Sequence, residues 1–332
     1  MYATRIVLLT LVYQLLAVSV SEPLHPLSDK FIDLINKEGK WKAGRNFPSD
    51  TPMEYVRNLM GTRIKLSDFD RLPVVKHDLK LIGNLPESFD PRKKWENCPT
   101  LNEIRDQGQC GACWAFGAVG AMSDRVCIYS NGTKNFIFSA EDLVTCNARD
   151  CGCDGGDPLE AWQEWIDVGL VSGGNYNSHQ GCKPYSFPPC PNHLKNCIDF
   201  KPTPRCVHSC EDGYDIPYAR DKKRGKNVYR IIGEDDIKAE LYTNGPVEAC
   251  FMVFEDFADY KGGVYRHLKG ELIFGHAVKM MGWGVENGTK YWLIANSWGT
   301  GFGEGGFFKI LRGENECFIE MFILGGEPSL ED

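Results

Sequence analysis

The chemistry of this chain concentrates in one run, Gln107-Gly108-Gln109-Cys110-Gly111-Ala112-Cys113-Trp114-Ala115-Phe116. Cys113 opens an apolar stretch with no charge before Asp124, the pattern of a buried helix that begins at the cysteine. At such an N-terminus the helix dipole and unpaired backbone N–H groups favour a thiolate, so position alone would activate the nucleophile. Cys110-Gly111-Ala112-Cys113 is also a C-x-x-C, which leaves open a redox pair, half of a metal site or a structural disulfide. Any one of the seven histidines is more often a surface or core residue than a catalyst. His276 stands apart because it opens an apolar run that leads to Asn296-Ser297-Trp298.

The elements that must position these groups follow from composition and pattern. The chain has 332 residues, 42% hydrophobic and 25% charged, a balance that buries a substantial core and excludes disorder and collagen-like structure. Its net charge of −8 is mild, and the basic stretch of Lys222, Lys223, Arg224 and Lys226 lacks interleaved aromatics. That stretch reads as a solvated loop, and no nucleic-acid partner is expected. Residues 1–20 carry Arg5, an apolar run from Ile6 and then small residues, the pattern of a signal peptide. The run is too short to span a bilayer and no other reaches about 18 apolar residues, so no membrane association is expected. Fourteen cysteines behind such a leader imply an oxidising compartment, and the sequons at Asn131 and Asn287 fit glycosylation on the same route.

No cysteine precedes Cys98, and residues 21–85 are compositionally separate. They hold two short amphipathic stretches, 27–36 with Phe31, Leu34 and Ile35 at helical spacing, and 53–60. Neither could form a core alone, so the segment is either a small docking domain or a propeptide that covers an active site. Beyond Leu85-Pro86, helical patterns at 113–128 and 158–168 come first, and strand-like runs at 247–254, 276–285, 291–296 and 306–311 follow. Helices before strands indicate an α+β protein of two packed domains. Between them, residues 182–213 are punctuated by Pro and Cys and read as a stapled surface loop.

Trp114 after the second cysteine and Gln107 before it narrow the readings of the C-x-x-C, because Cys-Gly-Ala-Cys-Trp matches the local signature of papain and cathepsin cysteine proteases. From residue 27 onward the chain resembles the cathepsin B group of that family, as an invertebrate-like member. The resemblance rests on Trp41-Lys42-Ala43-Gly44, Leu85-Pro86-Glu87-Ser88-Phe89-Asp90, the Cys-rich loop and the C-terminal half. It implies a papain-like two-domain fold, with a propeptide at 21–85, a mainly helical left domain at 86–213 and a β-barrel-like right domain at 214–332. The active-site cleft would lie between the domains.

The same resemblance makes Cys113 the nucleophile, His276 the base and Asn296 the group that orients the imidazole. Physical logic agrees: an imidazole holds the thiolate and returns the proton to the leaving amine, while an amide carbonyl fixes the tautomer. Gln107 and the backbone N–H of Cys113 would form the oxyanion hole, and Trp298 would shield the Asn–His bond. Gly155-Gly156 would pair with an extended substrate, although a tight turn accounts for two glycines equally well. His276 and Asn296 lie farther downstream than the roughly 130–150 residues usual in papain-like enzymes. The group's occluding loop, here 182–213, accounts for the excess. The implied disulfides are Cys98–Cys127, Cys110–Cys153, Cys146–Cys206, Cys182–Cys210 and Cys190–Cys197, which leave Cys113, Cys151, Cys250 and Cys317 as thiols. Cys151 would be unpaired because its partner position holds Asn147, and Cys250 would act as a small buried hydrophobe.

The function implied is a cysteine endopeptidase made as a zymogen, with Leu59-Met60-Gly61-Thr62 crossing the cleft in the non-productive direction. Carboxylates such as Asp29 and Asp33 would pair with the body, so that acid loosens the clamp. Phe322 stands where the group carries a glutamate, which implies an apolar or aromatic preference at P2. In the loop, Asn192 replaces one histidine of a carboxylate clamp while His193 keeps the other, with Asp106 as anchor and Lys195 nearby. Peptidyl-dipeptidase activity should therefore be weak. Protein and peptide substrates, the protein's own propeptide and cystatin-like inhibitors are the implied partners, and a lysosome or an extracellular digestive lumen is the implied site. No cofactor is implied, and no metal, since paired C-x-x-C units at finger-like spacing are missing. The rival function is a catalytically silent papain-fold binding protein, against which the intact set of Gln107, Cys113, His276 and Asn296 argues. A thiol-disulfide oxidoreductase falls if Cys110 is tied to Cys153.

Overall fold

A helix without a polar stripe cannot turn any side to water. In the computed structural model, which describes residues 24–190 and 199–330, the helix Cys113–Tyr129 is accordingly buried along nearly its whole length at the centre of the molecule. On one side lie two capped helices. Ala140–Cys146 starts at Ser139, whose hydroxyl accepts the Asp142 N–H at 2.9 Å, and Pro158–Asp167 starts at Asp157, which accepts the Leu159 N–H at 3.0 Å. Trp114, Phe138, Trp162 and Trp165 fill the core between these helices.

On the other side of the central helix is a mixed eight-stranded sheet, in spatial order Val74–Val75, Gly225–Ile231, Phe322–Pro328, Val247–Phe254, Leu272–Glu286, Thr289–Ala295, Phe307–Leu311 and Val264–Tyr265. Its two edges are two-residue strands that do not meet, so the barrel-like half implied by the resemblance is an open sheet. The long strand Leu272–Glu286 begins before the expected residue 276 and ends in a hairpin turn. That turn is Asn287-Gly288, with φ of 49° and 80°, the two positive values a type I′ turn requires. Asn131-Gly132, the other sequon, is likewise an exposed positive-φ turn. Residues 182–190 and 199–213 contain no helix or strand and are fastened by Cys182–Cys210 and Cys146–Cys206.

The N-terminal segment docks over both halves. Its helix Asp29–Glu38, capped by Ser28 and stopped by Gly39 at φ 63°, buries Phe31, Ile32 and Ile35. Ile32, rather than Leu34, completes the buried face. The strand Lys42–Ala43 pairs with Tyr260–Gly262, and Val74–Val75 adds to the sheet edge at Arg230 and Ile231. Trp41 donates its indole N–H to the Arg266 carbonyl at 2.8 Å. Asp29 pairs with Arg45 of the same segment and Asp33 is exposed, so neither carboxylate clamps the segment to the body.

Charged contacts between segment and body lie elsewhere: Asp70 meets Arg230 at 2.6 Å and Lys65 meets Glu160 at 3.7 Å, and a third, more buried cluster gathers at His77. Within the central helix, the Arg125 guanidinium is fully buried against Glu240 at 2.7 Å, and Tyr229 donates its hydroxyl to the same carboxylate at 2.6 Å. His77, its side chain 9% exposed, meets Glu240 at 2.9 Å and Asp236 at 3.2 Å, and Lys76 meets Asp236 at 2.7 Å. Burial opposes the charge on His77, but hydrogen bonds and charges from Glu240 and Asp236 outweigh it and raise the pKa above 6.5. Glu240 is held down to about 2, since the Arg125 charge and three hydrogen bonds outweigh the burial that would raise it. The histidine's contribution is thus fully present below pH 6.5 and is lost as pH rises through the raised value. The carboxylates' share is lost only in strong acid. This contact holds in mild acid and slackens in alkali, opposite to the clamp expected from Asp29 and Asp33. Thermal unfolding of the full-length precursor at about pH 5.5 and about pH 8.5 should show a smaller loss of stability with rising pH in His77→Ala than in the wild type. Equal losses would remove His77 from this role.

Candidate active site

Cys113 is the first residue of the central helix, and Ala112 before it offers no side-chain cap. The Trp114 N–H therefore serves the Cys113 sulfur instead of a cap, with the positive end of the helix dipole behind it. Cys110, three residues earlier, is bonded to Cys153. That bond ties the approach to the helix to the Gly155-Gly156 loop and removes the redox and metal readings of the C-x-x-C. Cys98–Cys127, Cys146–Cys206 and Cys182–Cys210 are also formed. Cys197 lies outside the described residues, and with it the Cys190–Cys197 pairing. Cys151 is an exposed thiol and Cys250 a buried one, so no bridge joins them. Cys146, Cys206 and His208 lie close together, but the disulfide between the two cysteines leaves one ligand there.

His276 enters from the sheet side, on the strand Leu272–Glu286. Its Nε2 lies 2.8 Å from Asn296 Oδ1, and the Ser297 backbone N–H donates to the same oxygen at 2.8 Å. That second bond identifies Oδ1 as the acceptor, so Nε2 donates and Nδ1 is left with its lone pair. Trp298 covers the pair, its ring centroid 4.9 Å from the imidazole. On the helical side, Gln107 is fixed at both ends of its amide. Ser297 donates its hydroxyl to Oε1 at 2.7 Å, and Nε2 donates to the Cys110 and Leu59 carbonyls, each at 2.8 Å.

Leu59 belongs to the N-terminal segment, which runs through this site. The Gly61 N–H reaches Cys113 Sγ at 3.1 Å, and the Thr62 hydroxyl lies 3.3 Å from the same sulfur. The Gly156 N–H donates to the Gly61 carbonyl at 2.8 Å, and the Arg63 N–H donates to the Gly156 carbonyl at 2.9 Å, a parallel pairing. Both body glycines are required by space or backbone. Gly155 has φ 107°, and a Cβ on Gly156 would lie 2.5 Å from the Trp114 ring. Gly61 is just as constrained, since its Cβ would come within 1.8 Å of the Gly111 carbonyl oxygen. Under this cover the site is uncharged. Burial drives His276 down to about 4 against the opposing Asn296 hydrogen bond, and burial raises the Cys113 thiol despite the contacts from Thr62, Ala277, Gly61 and Trp114.

Beside the thiol, Cys113, Cys250 and Ala277 form a small apolar cluster against which Phe322 and Ile64 of the segment pack. It opens into a cavity of about 820 Å³ that also has Gly155, Gly156, Phe274 and Phe318 in its wall. Phe322 does not turn into the core; its ring meets Phe69 of the segment at 5.4 Å. Across the site, Asp106 accepts the backbone N–H groups of Gly108 and Cys190 at 2.8 and 3.2 Å. His193, Asn192 and Lys195 lie outside the described residues. Sequence reasoning missed Ser297, although it stands inside Asn296-Ser297-Trp298, and it missed Ile64, whose apolar character next to Gly61-Thr62 was the available signal. It also missed His77, which no local pattern marks.

Residues 85–326 match the family model for papain family cysteine proteases, and residues 27–65 match the model for the peptidase family C1 propeptide. The chain is 43% identical over 319 residues to a cathepsin B-like cysteine proteinase of Schistosoma japonicum, covering 92% of each chain. It is 45% identical over 322 residues to cathepsin B-like cysteine proteinase 6 of Caenorhabditis elegans, covering 91% of this chain and 83% of that one. Among solved structures, procathepsin B S9 from Trypanosoma congolense has a TM-score of 0.82 at 40% identity and covers 92% of this chain and all of that one. With the cysteine, imidazole and amide converging in one cleft beneath an N-terminal segment of the matching kind, the chain belongs to the papain family of cysteine proteases and carries that family's propeptide.

Proposed function

We propose that this zymogen matures into an endopeptidase in which Cys113, His276 and Asn296 carry out peptide hydrolysis, after loss of the chain up to about residue 85. One observation carries the reading: the Gln107 amide already holds a peptide carbonyl, that of Leu59, two residues before the Gly61 N–H that meets the Cys113 sulfur. In a substrate that position would belong to the developing oxyanion, stabilised by Gln107 Nε2 and the Cys113 backbone N–H. With the propeptide gone, Cys113 passes its thiol proton to His276 Nδ1, the resulting thiolate attacks the carbonyl carbon, and Nδ1 then gives that proton to the departing amine. Water, deprotonated by the same nitrogen, releases the acyl group from sulfur. Asn296 keeps Nε2 occupied throughout, so that Nδ1 is the nitrogen that exchanges protons.

The propeptide occupies the same groups without being cleaved. Cys113 faces an N–H and a hydroxyl rather than a carbonyl carbon, and the parallel pairing with Gly156 is the reverse of the direction the family implies for substrate. Ile64 fills the pocket beside Phe322 and supports an apolar P2 preference, since a phenylalanine cannot pair with a cation. The signal-like leader and four disulfides support a secretory route to a lysosome or digestive lumen, with Asn131 and Asn287 as glycan acceptors on exposed turns. Cystatin-like proteins are the inhibitors that such a cleft would take. With Asn192 in the loop, His193 supplies half a carboxylate clamp, so dipeptide release should be weak beside internal cleavage.

Alkylation by iodoacetamide at about pH 6 should be slower at Cys113 in the precursor than in the matured enzyme by roughly a hundredfold, because the buried thiol is neutral. Gly61→Ala should abolish most of that difference, since the added methyl cannot fit against Gly111. Comparable rates in the wild-type forms would show that the propeptide does not silence the thiol. The matured enzyme should also turn over Phe-Arg reporter peptides at least about tenfold better than Arg-Arg ones, and Phe322→Glu should narrow the gap. Equal turnover by the wild type would place Phe322 outside the specificity pocket.

A further inference from the structure

The turn before the last strand carries an unusual backbone. Asn315, Cys317 and Phe318 have φ of 51°, 49° and 64°. Asparagine tolerates the left-handed region, but a phenylalanine there is a genuine outlier. The surroundings force it. The Glu320 carboxylate accepts the Gly313 N–H at 2.6 Å, the Asn315 N–H at 3.2 Å and the Trp292 indole N–H at 2.8 Å. Asn315 Oδ1 in turn accepts the Glu320 N–H at 3.0 Å, and the Phe318 N–H bonds to the Asn315 carbonyl at 2.9 Å. Cys317 and Ile319 on either side are buried, yet Phe318 remains 49% exposed, so burial of its ring does not repay the strain. Strain that persists without a packing return points to function.

Phe318 stands in the wall of the same cavity of about 820 Å³ as Phe322, together with Leu272 and Phe274. These two are 49% and 38% exposed; Phe274 shares a face with His276 by strand alternation, and Leu272, across a bulge in the ladder, lines the same cavity. The cavity exceeds what one side chain fills, and large apolar groups left open in a cleft mark a binding surface. The propeptide uses it in two steps. Ile64 packs beside Phe322 and Cys113, and Leu66, two residues on and 56% exposed, also lines the cavity.

We propose that Phe318, with Phe274 and Leu272, forms an outer apolar subsite that takes the substrate's P4 side chain. This rests on the protease reading above. An extended peptide paired to Gly156 turns alternate side chains to the same side, so the residue that follows P2 into this cavity is P4, while P3 points away. The preferred substrate is then an extended stretch with apolar or aromatic residues two apart.

The test uses enzyme matured from the full chain and internally quenched peptides with P1 and P2 fixed and Phe, Gly or Asp placed at P4 or at P3. The wild type should favour Phe over Gly at P4 by roughly tenfold in kcat/KM, the size of effect an added apolar contact gives. Phe318→Gly and Phe318→Asn both suit a left-handed backbone and should keep the melting temperature at or above that of the wild type while erasing the P4 preference. Phe318→Tyr should retain it. A wild type indifferent at P4, or Phe318 variants that alter P2 or P3 selectivity and leave P4 untouched, would overturn the subsite. A wild type that cleaves none of the peptides would instead overturn the protease reading.

Discussion

A long apolar helix is buried with its N-terminus uncapped, and the rest of the molecule is arranged around that constraint. Several other helices here begin at a side-chain acceptor, among them Ser28, Ser139 and Asp157, although Glu234–Asn244 begins at Gly233 without one. The central one begins at Ala112, so the positive end of its dipole faces the cleft at Cys113. Burying that helix on both flanks demands a helical layer on one side and a sheet on the other. It also demands partners for the two charges the helix takes inside: Lys279 for Asp124 at 2.7 Å and Glu240 for Arg125 at 2.7 Å. Both partners come from the sheet half, so the pairs that permit burial of the helix also join the two halves behind the nucleophile.

The propeptide acts on charge as well as on access. An imidazolium and a thiolate stabilise one another only where water or protein dipoles support them, and a peptide laid across the site withdraws the water. Desolvation pushes His276 down and Cys113 up, so the proton stays on sulfur. The groups that should perform catalysis are therefore already in place in the precursor but in the wrong protonation state. Departure of the segment changes that state without requiring the helix, the strand or the Asn296 amide to move.

Much of this was legible in the sequence because the signals were local. The run Gln107–Phe116 and the apolar pattern after it located the central helix to within a residue of its observed end at Tyr129. The strand-like run at 247–254 is a strand with those bounds. What local pattern could not supply was pairing over distance. Nothing near His77 shows that it meets Glu240 across 163 positions of chain, and nothing near Asp29 shows that its partner is Arg45 of its own segment. The buried face of the first helix was misjudged by one position, Leu34 for Ile32, because both fit a helical period and only docking against the body selects between them. That the barrel-like right half stays open was not legible for a related reason: closure depends on whether edge strands meet, and no single strand's sequence records that.

With the chain cut at about residue 85 as proposed, the two short strands of the N-terminal segment also have a meaning for the enzyme's life after maturation. Val74–Val75 covers the strand Gly225–Ile231, whose other side is occupied by Phe322–Pro328, and Lys42–Ala43 covers Tyr260–Gly262. Losing the propeptide converts part of an interior ladder into an open edge with unsatisfied N–H and C=O groups, the kind of surface on which chains stack edge to edge. The newly bared strand carries Lys226 and Arg230, and Asn227 at φ 56° breaks its extended run. Like charges and a kink are what discourage a second copy from pairing there, so protection against self-association passes at maturation from a strand that leaves to side chains that remain.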